Sequence, residues 1–270
     1  MTWLSLEDLL TLARRQTVEM LIFGVTFALI GLFLRRLPGR AKLSETRINA
    51  VIYVIDLLFV APLILAAIIA LDPILSQAPL AFIWSAAGHG GAALAVLVIG
   101  DLIGYWRHRL QHSPALWPAH AIHHSDRELS WFSLNRMHPV DRFGTALDTV
   151  LLAALGFPAW ALGLNGLARH YYGYLIHADV PWTFGKLDLI LNSPAMHRWH
   201  HSRDVHGKNF ATLFSVWDRL FGTYFAPGPC EGALGVDADM GKGAIGQYLY
   251  PLHAWAGSLR RLAVGARTRF

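Results

Sequence analysis

The pattern H-x-x-H-H-S occurs twice in this 270-residue chain, as HAIHHS at 120–125 and as HRWHHS at 197–202. On a helix, residues at i, i+3 and i+4 share a face. His120, His123 and His124 therefore project together, and so do His197, His200 and His201. His108 and His112 make a third cluster at i, i+4 in YWRHRLQH. Eight imidazoles exceed the roughly four to six ligands that one metal ion takes, so they point to two ions. Each copy of the pattern would supply part of a shell, with neighbouring rings able to ligate different ions. Neutral imidazole suits iron, zinc, copper and nickel. His138, in RMHPVD, and His177, in LIHAD, are further candidate ligands. Asp101 lies seven residues before His108, two turns back on the same face. It is a candidate to hold the second ring N–H of a ligand, as metal-bound imidazoles require. His89, His170, His206 and His253 are isolated and read as surface or hydrogen-bonded residues.

A catalytic zinc site commonly needs three protein ligands and an open position, not eight imidazoles. Carboxylate-bridged di-iron bundles use Glu-x-x-His pairs, and none lies in this histidine region. A nitrogen-rich shell around two ions, beside long apolar segments, points to iron and O₂ acting on C–H bonds. A histidine-based metal transporter or sensor is the rival of another class. It predicts ligands near mid-membrane or on a mobile loop. Here the clusters fall at a helix end and in the polar stretch beyond it.

These residues need elements to position them. The chain is 54% hydrophobic and 15% charged, well under the roughly 25% charged residues of soluble domains. Apolar runs at 17–34 and 49–71 are long enough to cross a bilayer, with Pro62 a candidate kink in the second. Residues 72–90 read as a turn-rich connection, and a third helix as 91–112. At about 1.5 Å per residue that helix carries its histidine end out of the hydrocarbon. Residues 143–177 read as a helical hairpin bent near Phe157–Pro158, which returns His177 to the side of the other histidines. The end of the chain, AWAGSLRRLAVGARTRF, reads as a basic amphipathic segment on the membrane surface. The expected fold is an all-α integral membrane protein of about four transmembrane helices with a histidine-rich helical cap. Its expected units are 1–48, a first span and basic loop; 49–230, the histidine-bearing domain; and 231–270, a tail.

The loop after the first span holds Arg35, Arg36, Arg40, Lys42 and Arg47, whereas 72–90 holds no Lys or Arg. The positive-inside rule then places the histidine clusters on the cytoplasmic face, against the opposite bias of Arg14 and Arg15. The net charge of +5, clustered beside apolar runs, suits lipid headgroups, and no nucleic-acid-binding pattern is present. The one cysteine, Cys230, excludes an internal disulfide framework and multi-cysteine metal sites.

Several motifs in order resemble the fatty acid hydroxylase/sterol desaturase superfamily. They are D-x-x-x-Y-W-x-H-R-x-x-H (Asp101 to His112), H-x-x-H-H-S (His120 to Ser125), R-x-H-P (Arg136 to Pro139), H-R-W-H-H-S-R-D (His197 to Asp204) and N-F…W-D-R-L-F-G-T-Y (Asn209 to Tyr224). The likeness covers roughly residues 50–225. It implies a membrane-bound di-iron oxygenase with a cytosolic metal site, two iron ions and O₂ as co-substrate. By motif, the eight clustered histidines match the family's boxes, and His138 and His177 its additional histidines. The resemblance further implies a membrane lipid substrate, sterol or fatty acyl, with an ether lipid or carotenoid as the alternative. It implies electrons from a separate ferredoxin or reductase and placement in a bacterial inner membrane. Trp106, Trp131, Phe132 and Trp199 are candidates to line the substrate's entrance. WDRLFGTY reads as packing between cap and membrane helices, and Asn209 as a loop anchor beside the last box.

Overall fold

The computed structural model describes residues 6–34, 39–75 and 78–267. Arg35 and Arg36 of the basic loop lie outside them, as do the last residues of the tail. The described residues form ten α-helices: α1 Leu6–Phe33, α2 Arg40–Ile55, α3 Ala61–Leu75, α4 Ala81–Gln111, α5 Trp117–His124, α6 Pro139–Ala154, α7 Ala159–His177, α8 Pro194–His200, α9 Val216–Leu220 and α10 Gly243–Arg267. This is the all-helical architecture expected. Three segments are long and apolar enough to cross a membrane: Arg14–Phe33, Arg40–Leu75 and Ala81–Gln111. Leu21, Val25, Leu29 and Leu32 of α1 are exposed, as suits side chains that meet lipid rather than protein.

Two boundaries differ from expectation. Helix α4 starts at Ala81, ten residues before Gly91, and passes through Gly88, whose φ of +67° breaks the regular helix. Glycine carries this conformation without steric cost, so the stretch AFIWSAAG extends the helix where turn residues suggested a loop. The second span runs from α2 to α3 through a π-helical turn at Asp56–Val60. Pro62 lacks the N–H that a regular helix would direct to the carbonyl of Leu58, and the irregular turn directly precedes it.

Helices α6 and α7 form the expected hairpin, turned at Gly156 with φ +82°. It is clamped to the start of α4. Trp84 stacks on Phe157 with ring centroids 3.9 Å apart, and its Nε1 donates to the carbonyl of Leu155 at 2.7 Å. Val96, Leu152, Phe157 and Ala161 form the core of this bundle. Higher along α4, Gly100 and Gly104 let α7 approach closely: a Cβ at either position would collide with Asn165 or Arg169. Close approach of this kind is a general use of small residues between membrane helices.

The cap sits at the His112 end of α4. Ile52 of α2, Ala121 and Ile122 of α5, and Met240 and Ala244 pack as its core. The tail helix α10 thus starts well before the expected amphipathic segment, and its first half is docked on the cap. Trp255 of α10 donates Nε1–H to the carbonyl of Ala115 at 2.8 Å.

Candidate metal centre

Helix α4 carries His108 in its last turn and is followed by His112, α5 carries His120, His123 and His124, and α7 ends in His177. Helix α8 carries His197 and His200, and is followed by His201. Prolines at the first turns of α5 and α8 favour these two short helices. Their side chains converge into two groups. One is His108, His112, His120, His124 and His200; the other is His123, His177, His197 and His201. Within each group the ligand nitrogens all lie within 4.8 Å of one another. Each H-x-x-H-H copy is divided between the groups: His120 and His124 go one way and His123 the other, while His200 parts from His197 and His201. The groups abut, since the rings of His124 and His201 stack with centroids 4.5 Å apart.

The outer nitrogens show what the inner ones are for. The Nδ1 of His108 lies 2.7 Å from the carbonyl of Phe210, and that of His200 2.7 Å from the carbonyl of Lys208. The Nδ1 of His177 faces the carbonyl of Gly173 at 2.7 Å, and that of His123 the carbonyl of Arg136 at 3.3 Å. A carbonyl only accepts, so each of these Nδ1 atoms carries the proton and leaves Nε2 with a lone pair. Yet the Nε2 atoms of His123 and His177 stand 3.1 Å apart. Two neutral rings fixed in this tautomer bring lone pair against lone pair, an arrangement that a shared cation would stabilise. The Nε2 atoms of His108 and His120 repeat it at 3.1 Å, with His120 Nδ1 on the carboxylate of Asp141 at 3.2 Å.

Protonation does not relieve the crowding. Burial pushes His120, His123, His124, His197 and His201 well below the usual histidine range. It pushes His200 down to about 4 and His112 to about 2, neighbouring histidines adding to the effect. The buried Nε2 atoms of His112, His124 and His200 have no hydrogen-bond partner. Neutral, unpartnered imidazole nitrogens in two convergent sets fit a pair of transition-metal ions.

Other sequence candidates lie elsewhere. His138 joins neither group: it caps α6, its Nδ1 accepting from the backbone N–H of Val140 at 3.2 Å, and its ring packs near Tyr248. Asp101 touches no histidine. Its carboxylate accepts from the backbone N–H groups of Leu213 and Phe214 at 2.9 and 2.8 Å, fixing the loop after the last box. The role assigned to it from spacing belongs to backbone carbonyls and to Asp141. Asp141 was missed, although it stands in the same RMHPVD stretch as His138. Arg136 was quoted only as part of a motif. It is fully buried and ties α5 to α2, bonding Ser125 Oγ at 3.1 Å and Glu45 Oε2 at 2.6 Å.

Asn209 does anchor the last box. In the left-handed region at φ +54°, it donates Nδ2–H to the carbonyls of Met196 and Phe225, and its Oδ1 accepts from Phe225. The WDRLFGTY segment packs the cap as read. Asp218 accepts from the N–H groups of Phe210 and Ala211, and Thr223 joins it to the hydroxyl of Tyr105 on α4.

A cavity of about 540 Å³ reaches both histidine groups through His108, His120, His123, His177 and His197. It extends along α7 to Gly163, fourteen residues or about 21 Å of helix from His177. None of the four aromatic candidates lines it. Trp106 packs on Phe221, Trp131 on Phe27, Phe132 against Tyr53 and Trp199 against Phe225.

A family model described as fatty acid hydroxylase matches residues 93–223. The chain is 35% identical to the ornithine lipid hydroxylase OlsE of Rhizobium tropici over 57% of its own length and 48% of that protein. It is 32% identical to an alkylglycerol monooxygenase of Danio rerio over 57% of its length and 35% of that protein. It is 27% identical to the Delta(7)-sterol 5(6)-desaturase erg3C of Aspergillus fumigatus over 51% of its length and 49% of that protein. The chain thus spans about half or less of the length of these relatives. No solved structure matches it. The family match contains every histidine of the two groups, and residues 93–223 are those of a fatty acid hydroxylase domain.

Proposed function

We propose that this chain is a membrane-bound, O₂-dependent oxygenase that hydroxylates, or desaturates, a C–H bond of a lipid at a pair of iron ions. One observation carries the reading: the Nε2 atoms of His123 and His177 stand 3.1 Å apart while both Nδ1 atoms face carbonyls. His108, His112, His120, His124 and His200 would hold one ion, and His123, His177, His197 and His201 the other. Bound iron would supply the oxygen and C–H chemistry that these side chains lack.

The chain's own contribution is positional. Carbonyls and Asp141 hold protons on the outer nitrogens and aim the inner ones. Burial keeps the rings neutral and limits access of water. The cavity brings a substrate beside both groups. The relatives' names, two of them hydroxylase or monooxygenase, support oxidation of a lipid and favour hydroxylation. The alkylglycerol monooxygenases keep an ether lipid as the second reading. Electrons would come from a separate ferredoxin or reductase on the cytoplasmic side of a bacterial inner membrane.

Metal analysis of protein purified from iron-supplied cells should find about two irons per chain. With lipid extract, a reductant and ¹⁸O₂, mass spectrometry should find a labelled hydroxylated lipid. An unlabelled product carrying one more double bond would assign desaturation. Folded, iron-loaded protein that leaves a broad lipid panel unchanged overturns the proposal.

A further inference from the structure

The cavity beside the histidines is polar for a space within a membrane bundle. Four arginines and three carboxylates line it. Arg142 Nε donates to Asp56 Oδ1 at 2.8 Å, and His170 Nε2 lies 2.8 Å from Glu19 Oε1. Arg107 and Arg169 share Asp148, at 2.9 and 3.0 Å. Glu19, Asp56 and Arg107 fall in candidate membrane spans, where ionised groups are costly and mark function by default; a plain hydrocarbon would use none of them. The arginines outnumber the carboxylates, which favours an anionic ligand. Arg142 is the best placed: its side chain is 31% exposed, and among the described residues only its Nε has a hydrogen-bond partner.

A second cavity of about 530 Å³ lies deeper, between α3, the start of α4 and the α6–α7 turn. Trp84, Phe157, Trp160 and Leu162 line it, and among the described residues its lining includes no Arg, Lys, Asp or Glu, its polar members being Ser85, His89 and Thr149. Thr149 belongs to both cavities, and Leu162 of one adjoins Gly163 of the other. The polar space therefore abuts an apolar one on the side away from the histidines.

We propose that the substrate is a lipid with an anionic carboxylate or phosphate in its head group, bound at Arg142, with its chain passing Thr149 into the apolar cavity. Resting on the oxygenase reading, this places the oxidised carbon in or beside the head group rather than at the far end of the chain. Binding tests it without metal or O₂. The probes are lysophosphatidic acid against monoacylglycerol, and N-acylglycine against its methyl ester, each with long and short chains, titrated into detergent-solubilised full-length protein. The anionic member of at least one pair should bind about tenfold tighter, as a charge-assisted contact allows. Which pair shows it separates phosphate from carboxylate. The preference should vanish in R142Q and in the double variant R142Q/D56N, which leaves no unpaired carboxylate, and persist in R142K. T149W should weaken the long-chain probes about tenfold and spare the short ones. Equal binding of charged and neutral probes, or a preference that survives in the double variant, overturns the proposal. Selective binding without turnover would sink the oxygenase reading alone; turnover indifferent to head-group charge would sink this one alone.

Discussion

The two histidine groups draw on the same two short helices but are held differently. In the five-histidine group, His108 and His200 are fixed by loop carbonyls and His120 by the carboxylate of Asp141. His112, and the rim of His108, are only partly buried. In the four-histidine group every ring is buried and the outer partners are a carbonyl of α7, that of Gly173, and the carbonyl of Arg136 just before α6, while the Nδ1 atoms of His197 and His201 have none. The first group has one more imidazole and a carboxyl group, that of Asp141, bonded to one of its outer nitrogens. The second has four imidazoles, and no carboxyl group is hydrogen-bonded to its outer nitrogens. Two sites so close can thus differ in how firmly they hold an ion and in how easily they lose it.

Removing one ligand from each group tests this contrast most severely. H177A leaves three imidazoles in the buried group. It should reduce bound iron from about two to about one per chain. The loss of activity should exceed the roughly 10–100-fold typical when only an outer partner of a ligand is removed. H112A leaves four imidazoles in its group and should retain most of its iron. Metal analysis and turnover of both variants decide the matter; equal iron loss would erase the distinction between the groups.

A smaller effect should follow from D141N. The substitution keeps a hydrogen-bonding group near His120 Nδ1 but replaces the titratable carboxyl, which burial raises to about 7, with a neutral amide. Iron affinity of the five-histidine group should fall about 10–100-fold, with the other group unaffected. A competitive chelator titration that shows one ion leaving earlier would confirm it. Both ions leaving together would mean that the sites are coupled rather than independent.

What the sequence disclosed follows the range of the interaction. Helical spacing aligns His120, His123 and His124, so their convergence was legible from three letters. Their division between two groups was not, because it depends on how α5 faces α8, more than seventy residues away. Asp101 lies on the expected face of α4, yet the chain returning at Leu213 and Phe214 supplies two backbone donors that claim its carboxylate. In RMHPVD the proline starts a helix, which puts His138 at the cap in extended backbone and Asp141 one turn in, within reach of His120. Residue chemistry favoured the histidine; helix phase selected the aspartate. Trp131 and Phe132 were expected to line an entrance; their short 3₁₀ turn packs on α1 and α2 and lines a separate cavity of about 300 Å³ there, not the one beside the histidines. The hairpin, fixed by local hydrophobicity and FP, was legible almost to the residue.

Acid should act on both groups at once. Burial holds these histidines below their ordinary value of 6.5, His200 at about 4. Between those values the unfolded chain takes up protons that the folded chain refuses, so stability falls as pH falls. Above about 6.5 both states are neutral and the contribution is flat. Thermal unfolding of metal-free protein should therefore show a constant Tm from about pH 8 to 6.5 and a steady decline towards pH 4. Iron-loaded protein should decline more steeply, since protons then also compete with the ions. Burial also raises the Asp141 carboxyl to about 7, which opposes this decline, so the fall should be steeper in D141N; a Tm that does not fall on acidification in that variant would mean that the rings are not buried neutral.

The smallest effect belongs to the histidine outside both groups. His138 closes the N-terminus of α6, and its ring rests against α10. H138A removes one cap contact and some packing, a cost of about 0.5–2 kcal/mol of stability by analogy with other N-caps. Iron content should stay at the level of the unaltered protein, and turnover should change by less than about threefold, because no ligand nitrogen moves. H138N, whose side chain can accept the same backbone N–H, should restore most of the lost stability. If instead H138A sheds an ion, the cap must rearrange to bring this ring into a shell, and the five-and-four division would have to be redrawn around it.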